Sequence, residues 1–368
     1  MIRDSREAQD APQEGGFQSP VAYFKVVYQA FQRAEQFFGK SSEREFRIAQ
    51  QKIRLQFSGP TLVSRLTPAL DHLPGWSGGG ADLTICIWDS ATTGVGMPPP
   101  PWAGGAYRAR GREFKCAEGT VHYNDDRFRM FFYMDEHAML LDKQNGIGIF
   151  WVPDAGLLPY HESGAPLRML FHWWLSNSER QFVHAAAVGM PDGGVLMAGK
   201  SGSGKSTSTL ACLDSPLRLA ADDYCLLETV PNPHIYSLYN TAKIEPSTLG
   251  MFPSLRSKMS NANRLETEKA LFFLQQYFPD RVILDFPLQA LLILRVTGRA
   301  DTMLEPATAA EGLKALAPST ILQLSDQGQS ALTILTRFAR QVPCYTLLLG
   351  TDLEQIPRTI LDLLSGDC

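Results

Sequence analysis

The sequence predicts an α/β protein in which a β-rich first half precedes an α/β domain built around a glycine-rich loop. Between residues 107 and 153, short apolar segments alternate with turn residues, which is typical of β-hairpins. After residue 166, strand-like and helix-like segments alternate around Val195–Ser206, written VLMAGKSGSGKS. We therefore expect a disordered tail at 1–20, a β-rich domain at 21–165 and an α/β domain at 166–368.

Composition excludes several classes of protein. The chain has 368 residues, 44% of them hydrophobic and 20% charged, with a net charge of −4. This balance gives no electrostatic reason to expect a nucleic-acid partner. No apolar run approaches membrane-spanning length and Met1–Gln18 lacks the apolar segment of a signal peptide, so we expect a cytoplasmic protein with no membrane partner. The cysteines and histidines show no metal-ligand spacing.

In the first half, the apolar pattern predicts mainly strands and turns. Val21–Gly39 fits a helix or a strand, and a helix is favoured after Ala30. Glu45–Phe57 alternates apolar and polar residues, which predicts two strands around a turn at Gln50-Gln51. Asp125-Asp126 invites a catalytic interpretation, but a turn needs nothing more than small polar residues. The other expected elements are a short helix at 62–73, a strand at 82–88, a surface loop at 90–105 and hairpin strands at 121–123, 128–133, 138–141 and 147–152.

In the second half, strands and helices are expected to alternate, as in an α/β sheet with crossover helices. The expected strands or extended segments lie at 182–188, 195–198, 217–221, 235–246, 288–296 and 344–349. The expected helices lie at 167–175, 265–276, 309–315, 332–341 and 352–364, besides the one that follows the glycine-rich loop.

The glycine-rich stretch itself has the pattern G-x-x-x-x-G-K-[ST] between a strand and a helix, which is the phosphate-binding P-loop in its required context. Glycines let successive N–H groups turn inward around phosphate oxygens. Lys205 can reach the β- and γ-phosphates, and the Ser206 hydroxyl can ligate Mg²⁺. A flexible linker is disfavoured because both flanks are apolar. We predict that ATP and Mg²⁺ bind here, through Gly199, Lys200, Ser201, Gly202, Ser203, Gly204, Lys205, Ser206 and Thr207.

Two acids are expected to face this loop. Asp222 and Asp223 follow a short strand, and Asp222 comes 17 residues after Lys205. A helix of about nine residues runs roughly 13 Å away from the phosphate, and the strand returns about as far. If the strand is parallel to 195–198, both acids reach the triphosphate, and their side chains point to opposite faces. One acid can then hold Mg²⁺ while the other accepts a proton from a hydroxyl. The alternatives are a solvated acidic strand end or a purely metal-binding aspartate.

His184 is a further candidate because its strand turns at 191–194 into the strand of the glycine-rich loop. That hairpin would bring His184 toward the phosphate end. Taken alone, a histidine beside an apolar run is more often a core residue than a catalytic one.

Four segments together resemble the catalytic domain of HPr kinase/phosphorylase, a bacterial protein-serine kinase family whose core is similar to that of phosphoenolpyruvate carboxykinase. These segments are His184–Val188, Gly193–Leu196, Gly199–Thr207 and Ala221–Asp223. The resemblance implies that Lys205 and the loop amides bind phosphates and that Ser206 with Asp222 serves Mg²⁺. It also implies that Asp223 is the general base toward an acceptor serine, near His184. Glu245 would be an additional metal carboxylate, with a plain surface acid as an equal alternative.

The sequence also departs from that family. Lys200 stands where the family's loop has an acid, and the L-E-I-R-G-x-G segment tied to phosphorolysis has no good counterpart. The first half does not resemble the family's usual N-terminal domain. These departures point away from the reverse reaction and from the usual phosphocarrier substrate. The chain looks more like diverged members found with peptide-modification systems, such as lasso-peptide kinases, which phosphorylate a serine of a precursor peptide.

The expected function is Mg·ATP-dependent phosphorylation of a hydroxyl, foremost serine, on a peptide, protein or small molecule. The resemblance is compatible with a homo-oligomer. One alternative is a P-loop ATPase of the transport type, since 324–329 superficially resembles the L-S-G-G-Q element, although a turn is favoured there. The other is a nucleotide-gated binding module without a phosphoacceptor. Asp223 separates these classes, because a pure sensor needs no base beside the γ-phosphate.

Overall fold

The structure is a computed structural model that describes residues 19–38, 42–100, 120–133, 136–158, 160–324 and 328–366. Within these ranges the chain is a mixed α/β protein with a seven-stranded sheet, a nine-stranded sheet and a two-stranded ribbon. No described helix is long and apolar enough to span a membrane. Residues 1–18 of the predicted tail and parts of the segments at 90–105 and 324–329 lie outside the described residues, and Pro20 belongs to a helix rather than to a tail.

The seven-stranded sheet contains all strands of the first half, in the order β1-β2-β3-β7-β6-β5-β4. Strands β2, β3 and β7 are parallel neighbours, and the other pairs are antiparallel. The strands are β1 Ser42–Ile48, β2 Gln51–Ser58, β3 Leu83–Asp89, β4 Thr120–Asn124, β5 Phe128–Tyr133, β6 His137–Asp142 and β7 Ile147–Val152. The helices of this half are α1 Pro20–Phe38, α2 Val63–Leu66, α3 Ser90–Thr93 and α4 Tyr160–Gly164.

Both faces of this sheet are covered. Helix α1 begins at Pro20, earlier than predicted, because its buried side chains recur with the helical period throughout the segment. It covers one face, where Phe31 packs 6.0 Å from Trp88 between ring centres. The other face packs against the second half of the chain, as where Phe46 meets Phe171. The core between the halves thus draws on residues from both sides of residue 166, and the division into domains there stays a prediction.

The nine-stranded sheet belongs to the second half. Its main order is β11-β9-β10-β16-β13-β12-β8, with β18 beside β16 and β17 beside β18. The strands are β8 Arg180–His184, β9 Ala186–Met190, β10 Gly193–Ala198, β11 Arg218–Ala221, β12 Tyr224–Glu228, β13 His234–Ser237, β16 Asp285–Val296, β17 Met303–Ala307 and β18 Cys344–Leu349. The ribbon pairs β14 Thr241–Ile244 with β15 Ala270–Phe273. The helices are α5 Arg168–Leu175, α6 Lys205–Ala211, α7 Leu274–Tyr277, α8 Ala309–Gln323, α9 Gly328–Gln341 and α10 Gln355–Ser365.

Strand directions place the candidate residues at one edge. Strand β9 is antiparallel to both β10 and β11, so β10 and β11 run in the same direction and their carboxyl ends meet at one edge. The chain crosses twice between this part of the sheet and the part formed by β8 and β12. It returns there between Ala221 and Tyr224, having first come from β8 into β9 between His184 and Ala186. The two crossings are adjacent because Tyr224 pairs with His184, and the predicted strand at 182–188 is therefore two strands.

Two sequence predictions can be compared directly with local structure. The turn at Asp125-Asp126 is confirmed, because Asp125 Oδ1 accepts from the backbone N–H groups of Arg127 and Phe128. The predicted helix at 265–276 is wrong. Most of its apolar residues form β15, and only Leu274–Tyr277 is helical. Asn261 holds this segment extended, because its side chain bonds both the N–H of Leu271 and the carbonyl of Lys269.

Candidate functional site

The glycine-rich loop connects β10 directly to α6. Gly202 and Gly204 have φ angles of 78° and 98°, a region that residues with a Cβ rarely adopt. At Gly199 an added Cβ would clash with the Ser203 side chain, so the loop closes on itself only with glycine there. The sequence pattern therefore specifies a tight turn with its backbone exposed toward the adjoining space.

Lys205, the first residue of α6, folds back over this loop. Its Nζ donates to the carbonyl of Gly199 at 2.7 Å and lies 3.4 Å from that of Lys200. The residue is 8% exposed. Burial lowers the pKa of Lys205, while the charges of Asp223 and Asp222 act in the opposite direction. The ammonium is thus held by loop carbonyls beside two acids.

Asp222 lies behind the loop, next to Ser206. Ser206 Oγ donates to Asp222 Oδ2 at 3.0 Å, and the N–H of Lys243 donates to the same oxygen at 2.9 Å. The other oxygen, Oδ1, is buried and has no hydrogen-bond partner among the residues that the structure describes. Burial and then the charge of Asp223 raise the pKa of Asp222 to about 6, against the two hydrogen bonds. Asp222 is therefore a desolvated carboxylate with free coordinating capacity.

Asp223 has different partners, as expected for neighbouring residues that point to opposite sides. Its Oδ1 lies 2.6 Å from His184 Nε2, and its Oδ2 accepts from Lys243 Nζ at 2.6 Å. Burial alone would raise the pKa of Asp223, but the Lys243 charge and the His184 hydrogen bond outweigh it and lower the pKa well below its ordinary value. In this structure Asp223 is a charged acceptor held on both oxygens.

Lys243 is the main residue of this site that sequence reasoning missed. It lies on β14, between the buried residues Ala242 and Ile244, and its side chain is 13% exposed. Burial would lower the pKa of Lys243, but Asp223 reverses this and raises it. A lysine between two buried residues of a short strand was the available signal. That signal does not identify the residue that Lys243 contacts, because β14 pairs with β15 rather than with the main sheet and its position could not be predicted.

These residues surround a cleft of about 400 Å³, a volume within the range of small-molecule sites. Of the residues predicted to bind nucleotide, the cleft is lined by Ser201, Gly202, Gly204, Lys205, Ser206 and Thr207. It is also lined by His184, Asp223, Lys243, Glu245, Lys269 and Gln323, among others. Gly199, Lys200, Ser203 and Asp222 are not among the lining residues: Ser203 packs against Gly199, and Lys200 is exposed.

From the wall of the cleft, a partly buried chain of hydrogen bonds leads to α5. Arg168 donates to Tyr224 Oη at 2.8 Å, and that hydroxyl donates to Gln323 at 2.6 Å. The nearby Glu162 is buried, and burial raises its pKa to about 7 despite the charges of Arg168 and Lys243. The hydrogen bonds connect the wall of the cleft to α5, and Glu162 of α4 lies close enough for its pKa to respond to Arg168.

The residues present fit a divalent cation only in part. The Ser206–Asp222 contact and the unpartnered Asp222 Oδ1 match the hydroxyl and carboxylate that hold Mg²⁺ in P-loop proteins. Glu245 instead accepts from Lys269 at 2.9 Å and its side chain is 58% exposed. Among the described residues, no group of three or more His, Cys, Asp or Glu is arranged to hold a metal ion. Ser206 and Asp222 thus fit the ion, and Glu245 does not join them.

Comparison with known proteins gives little beyond this geometry. No protein-family model matches the chain, and no curated protein matches it. Among solved structures, it is distantly similar to the Hpr(Ser) kinase/phosphatase from Coxiella burnetii, with 14% identity and a TM-score of 0.29. The match covers 51% of this chain and 95% of that one. A TM-score this low does not establish a shared fold, and membership of that family stays a proposal.

Proposed function

We propose that the protein is a diverged HPr-kinase-like P-loop kinase, which transfers the γ-phosphate of Mg·ATP to a hydroxyl, foremost serine, of a peptide, protein or small molecule. One observation carries the proposal. Ser206 contacts Asp222, while Asp223 and Lys205 line the same cleft. A phosphate cradle, a metal carboxylate and a base thus lie together, as phosphoryl transfer requires.

The glycine-rich loop and Lys205 would bind the triphosphate. The loop offers backbone N–H groups at Gly202 and Gly204, both of which line the cleft. Lys205 already lies over the loop and needs only to exchange carbonyl partners for phosphate oxygens. Ser206 and Asp222 would hold Mg²⁺, which when bound neutralises charge that develops on the phosphate oxygens.

Asp223 would act as the base toward the acceptor. The acceptor hydroxyl attacks the γ-phosphorus, an oxygen–phosphorus bond forms, and the bond to the oxygen bridging the β- and γ-phosphates breaks. ADP leaves with that electron pair, and the hydroxyl proton passes to Asp223. His184 supports this role by holding Asp223 Oδ1, so that the carboxylate keeps its orientation. Catalysis would come mainly from positioning and charge neutralisation.

The first half of the chain would select the acceptor from the edge of the cleft. Helix α4 reaches the site, because Thr241 Oγ1 donates to the carbonyl of Gly164 at 2.7 Å. Gly164 also packs beside the Lys243 side chain. A peptide docked along the first half would therefore have a short path to Asp223.

The test replaces Asp223 with Asn and measures ATP binding and phosphoryl transfer separately. Transfer of label from γ-labelled ATP to an array of serine peptides, with serine-to-alanine counterparts, reports the reaction. Loss of a positioned base should lower transfer by about 10²- to 10⁴-fold without weakening ATP binding. Asp192→Asn, at an exposed turn beyond the other end of β10, is the matched control and should behave as wild type.

Two outcomes would contradict the proposal. Transfer at the wild-type rate in Asp223→Asn would exclude Asp223 as the base. ATP binding by the wild-type chain without transfer to any hydroxyl, in the array or in co-expressed proteins analysed by mass spectrometry, would favour a nucleotide-gated binding module instead.

A further inference from the structure

Lys243 contacts both acids of the site. Its backbone N–H donates to Asp222 Oδ2 at 2.9 Å, and its Nζ donates to Asp223 Oδ2 at 2.6 Å. The side chain reaches this position from the β14–β15 ribbon, and it lines the same cleft as the glycine-rich loop. A residue this close to Asp223 is also within reach of a phosphate that is attacked beside Asp223.

The charges of the cleft are balanced before any nucleotide enters. Lys243 is paired with Asp223, and Lys269 is paired with Glu245 at 2.9 Å. Lys205 is held by loop carbonyls. A triphosphate with one Mg²⁺ brings excess negative charge. If Lys243 and Lys269 stayed paired with their acids, Lys205 would be the one lysine left among the described residues of the cleft to neutralise it, and Lys205 lies beside two carboxylates. A second cation must therefore turn to the phosphate if the buried charges are to stay paired.

Lys243 can make this exchange without leaving Asp223 unpaired. Its ammonium bonds only Oδ2, while His184 Nε2 holds Oδ1 at 2.6 Å. If Lys243 turns away, Asp223 keeps its contact with His184. The lysine stem has four flexible carbons, so Nζ can move while the backbone N–H stays on Asp222.

We propose that Lys243 is a second phosphate-binding lysine, which holds Asp223 in the nucleotide-free protein and transfers its ammonium to the terminal phosphate when ATP binds. The inference rests on the proposed kinase function and adds a regulatory step to it. Asp223 becomes free to accept a proton only when a terminal phosphate binds the Lys243 ammonium in its place.

The first experiment compares the affinities of Mg·AMP-PNP, which has a terminal phosphate, and Mg·ADP, which lacks it, by calorimetry. Lys243→Met should weaken AMP-PNP binding by at least about tenfold, the effect of losing a charge-assisted hydrogen bond, and should change ADP binding much less. Lys243→Arg should restore part of the difference. Lys269→Met, a lysine of the same cleft that is paired at its rim, should leave the ratio of the two affinities unchanged.

The second experiment tests the exchange of partners. Asp223→Asn frees Lys243 from its carboxylate, so AMP-PNP should bind more tightly than to the wild type, by about three- to tenfold. Lys243→Met in the Asp223→Asn background removes both charges and avoids an unpaired buried carboxylate. That double variant, which also serves if Lys243→Met alone does not fold, should lose the gain for AMP-PNP and should bind ADP as Asp223→Asn does.

If Lys243→Met changed the affinities for AMP-PNP and ADP equally, in either background, Lys243 would have only a structural role and the inference would be overturned. Failure of the proposed function would look different. The wild-type chain would then either bind neither nucleotide, or bind AMP-PNP with the expected dependence on Lys243 and still transfer no phosphate from ATP.

Discussion

Both large sheets bury carboxylates, but the partners of these carboxylates come from different distances along the chain. In the first sheet, Asp142 is 2% exposed and accepts from Arg127 at 2.9 and 2.7 Å, and from Asn145 in the next turn. At the edge of the second sheet, Asp223 contacts His184 and Lys243, and Asp222 has one oxygen without a partner in the described part of the chain. The partners of Asp142 thus come from adjoining strands and turns of one sheet, whereas those of Asp222 and Asp223 come from separate elements that meet at a cleft.

This difference separates structural from functional burial of charge. A carboxylate whose oxygens are all satisfied by neighbouring strands and turns of its own sheet has no capacity left for a ligand, and removing it should affect only stability. A pair that lines or backs a cleft, with an unpartnered oxygen and exchangeable lysines, can accept a ligand. The following changes test the distinction, from the largest expected effect to the smallest.

Lys205→Ala should have the largest effect, on activity. Removing a donor placed for phosphate oxygens is expected to lower phosphoryl transfer by about 10²- to 10³-fold and to weaken Mg·ATP binding. Calorimetry and the labelled-ATP assay measure both. Lys143→Ala is the matched control, because burial also lowers the pKa of Lys143, which lies in the turn between β6 and β7, far from the loop in the sequence. If both variants bound ATP equally well, the cleft would not be the phosphate site.

Asp142→Asn should have the next largest effect, on stability alone. Loss of the charged hydrogen bonds from Arg127 should lower the free energy of unfolding by about 2 to 3 kcal/mol. Nucleotide affinity should stay as in the wild type. Denaturant titration measures the first and calorimetry the second, with the exposed neighbour Asp126→Asn expected to change stability by less than about 0.5 kcal/mol. A loss of nucleotide binding would mean that the two sheets are coupled and the comparison fails.

Sequence reasoning reached parts of the site that follow from local pattern and strand direction. The strand, tight loop and helix around Gly199–Thr207 could be predicted because the loop's backbone needs glycine, for positive φ angles and for a close approach within the loop. Asp222 and Asp223 come to the loop edge because β11 runs with β10, and that direction could be argued from the lengths of helix and strand. Whether these residues act on ATP stays a prediction.

The rest depended on contacts between distant segments, which no local pattern reveals. Lys243 reaches Asp223 from a separate ribbon, and that ribbon was partly mistaken for helix at 265–276. The apolar run there is short, and its extended form is fixed by Asn261 from an earlier turn. The expected metal role of Glu245 likewise ignored Lys269, a rim residue that pairs with it.

The smallest expected effect concerns the contact between the two halves and appears only as pH falls. His72, in the connection before β3, lies with Nε2 2.8 Å from Ser237 Oγ at the end of β13. Burial lowers the pKa of His72 from 6.5 to about 3, so the folded protein binds fewer protons than the unfolded chain between these values. The contribution of neutral His72 is present above about pH 6.5 and is lost progressively as pH falls toward 3. Denaturant titrations should show that wild-type stability falls by about 1 kcal/mol more than that of His72→Gln between about pH 7 and pH 5.5.

Ser237→Ala supplies the control for this measurement, because it removes the hydrogen-bond partner and keeps the buried imidazole. It should lower stability at neutral pH and retain the wild-type slope with pH, since desolvation rather than the hydroxyl disfavours the charged ring. Nucleotide affinity should be unchanged in both variants, because neither residue lines the cleft. Parallel pH profiles for wild type and His72→Gln would show that the imidazole is hydrated or rearranged in solution. The polar groups at the contact between the halves would then have replaceable partners, as proposed for Lys243 in the cleft, rather than fixed partners like those of Asp142.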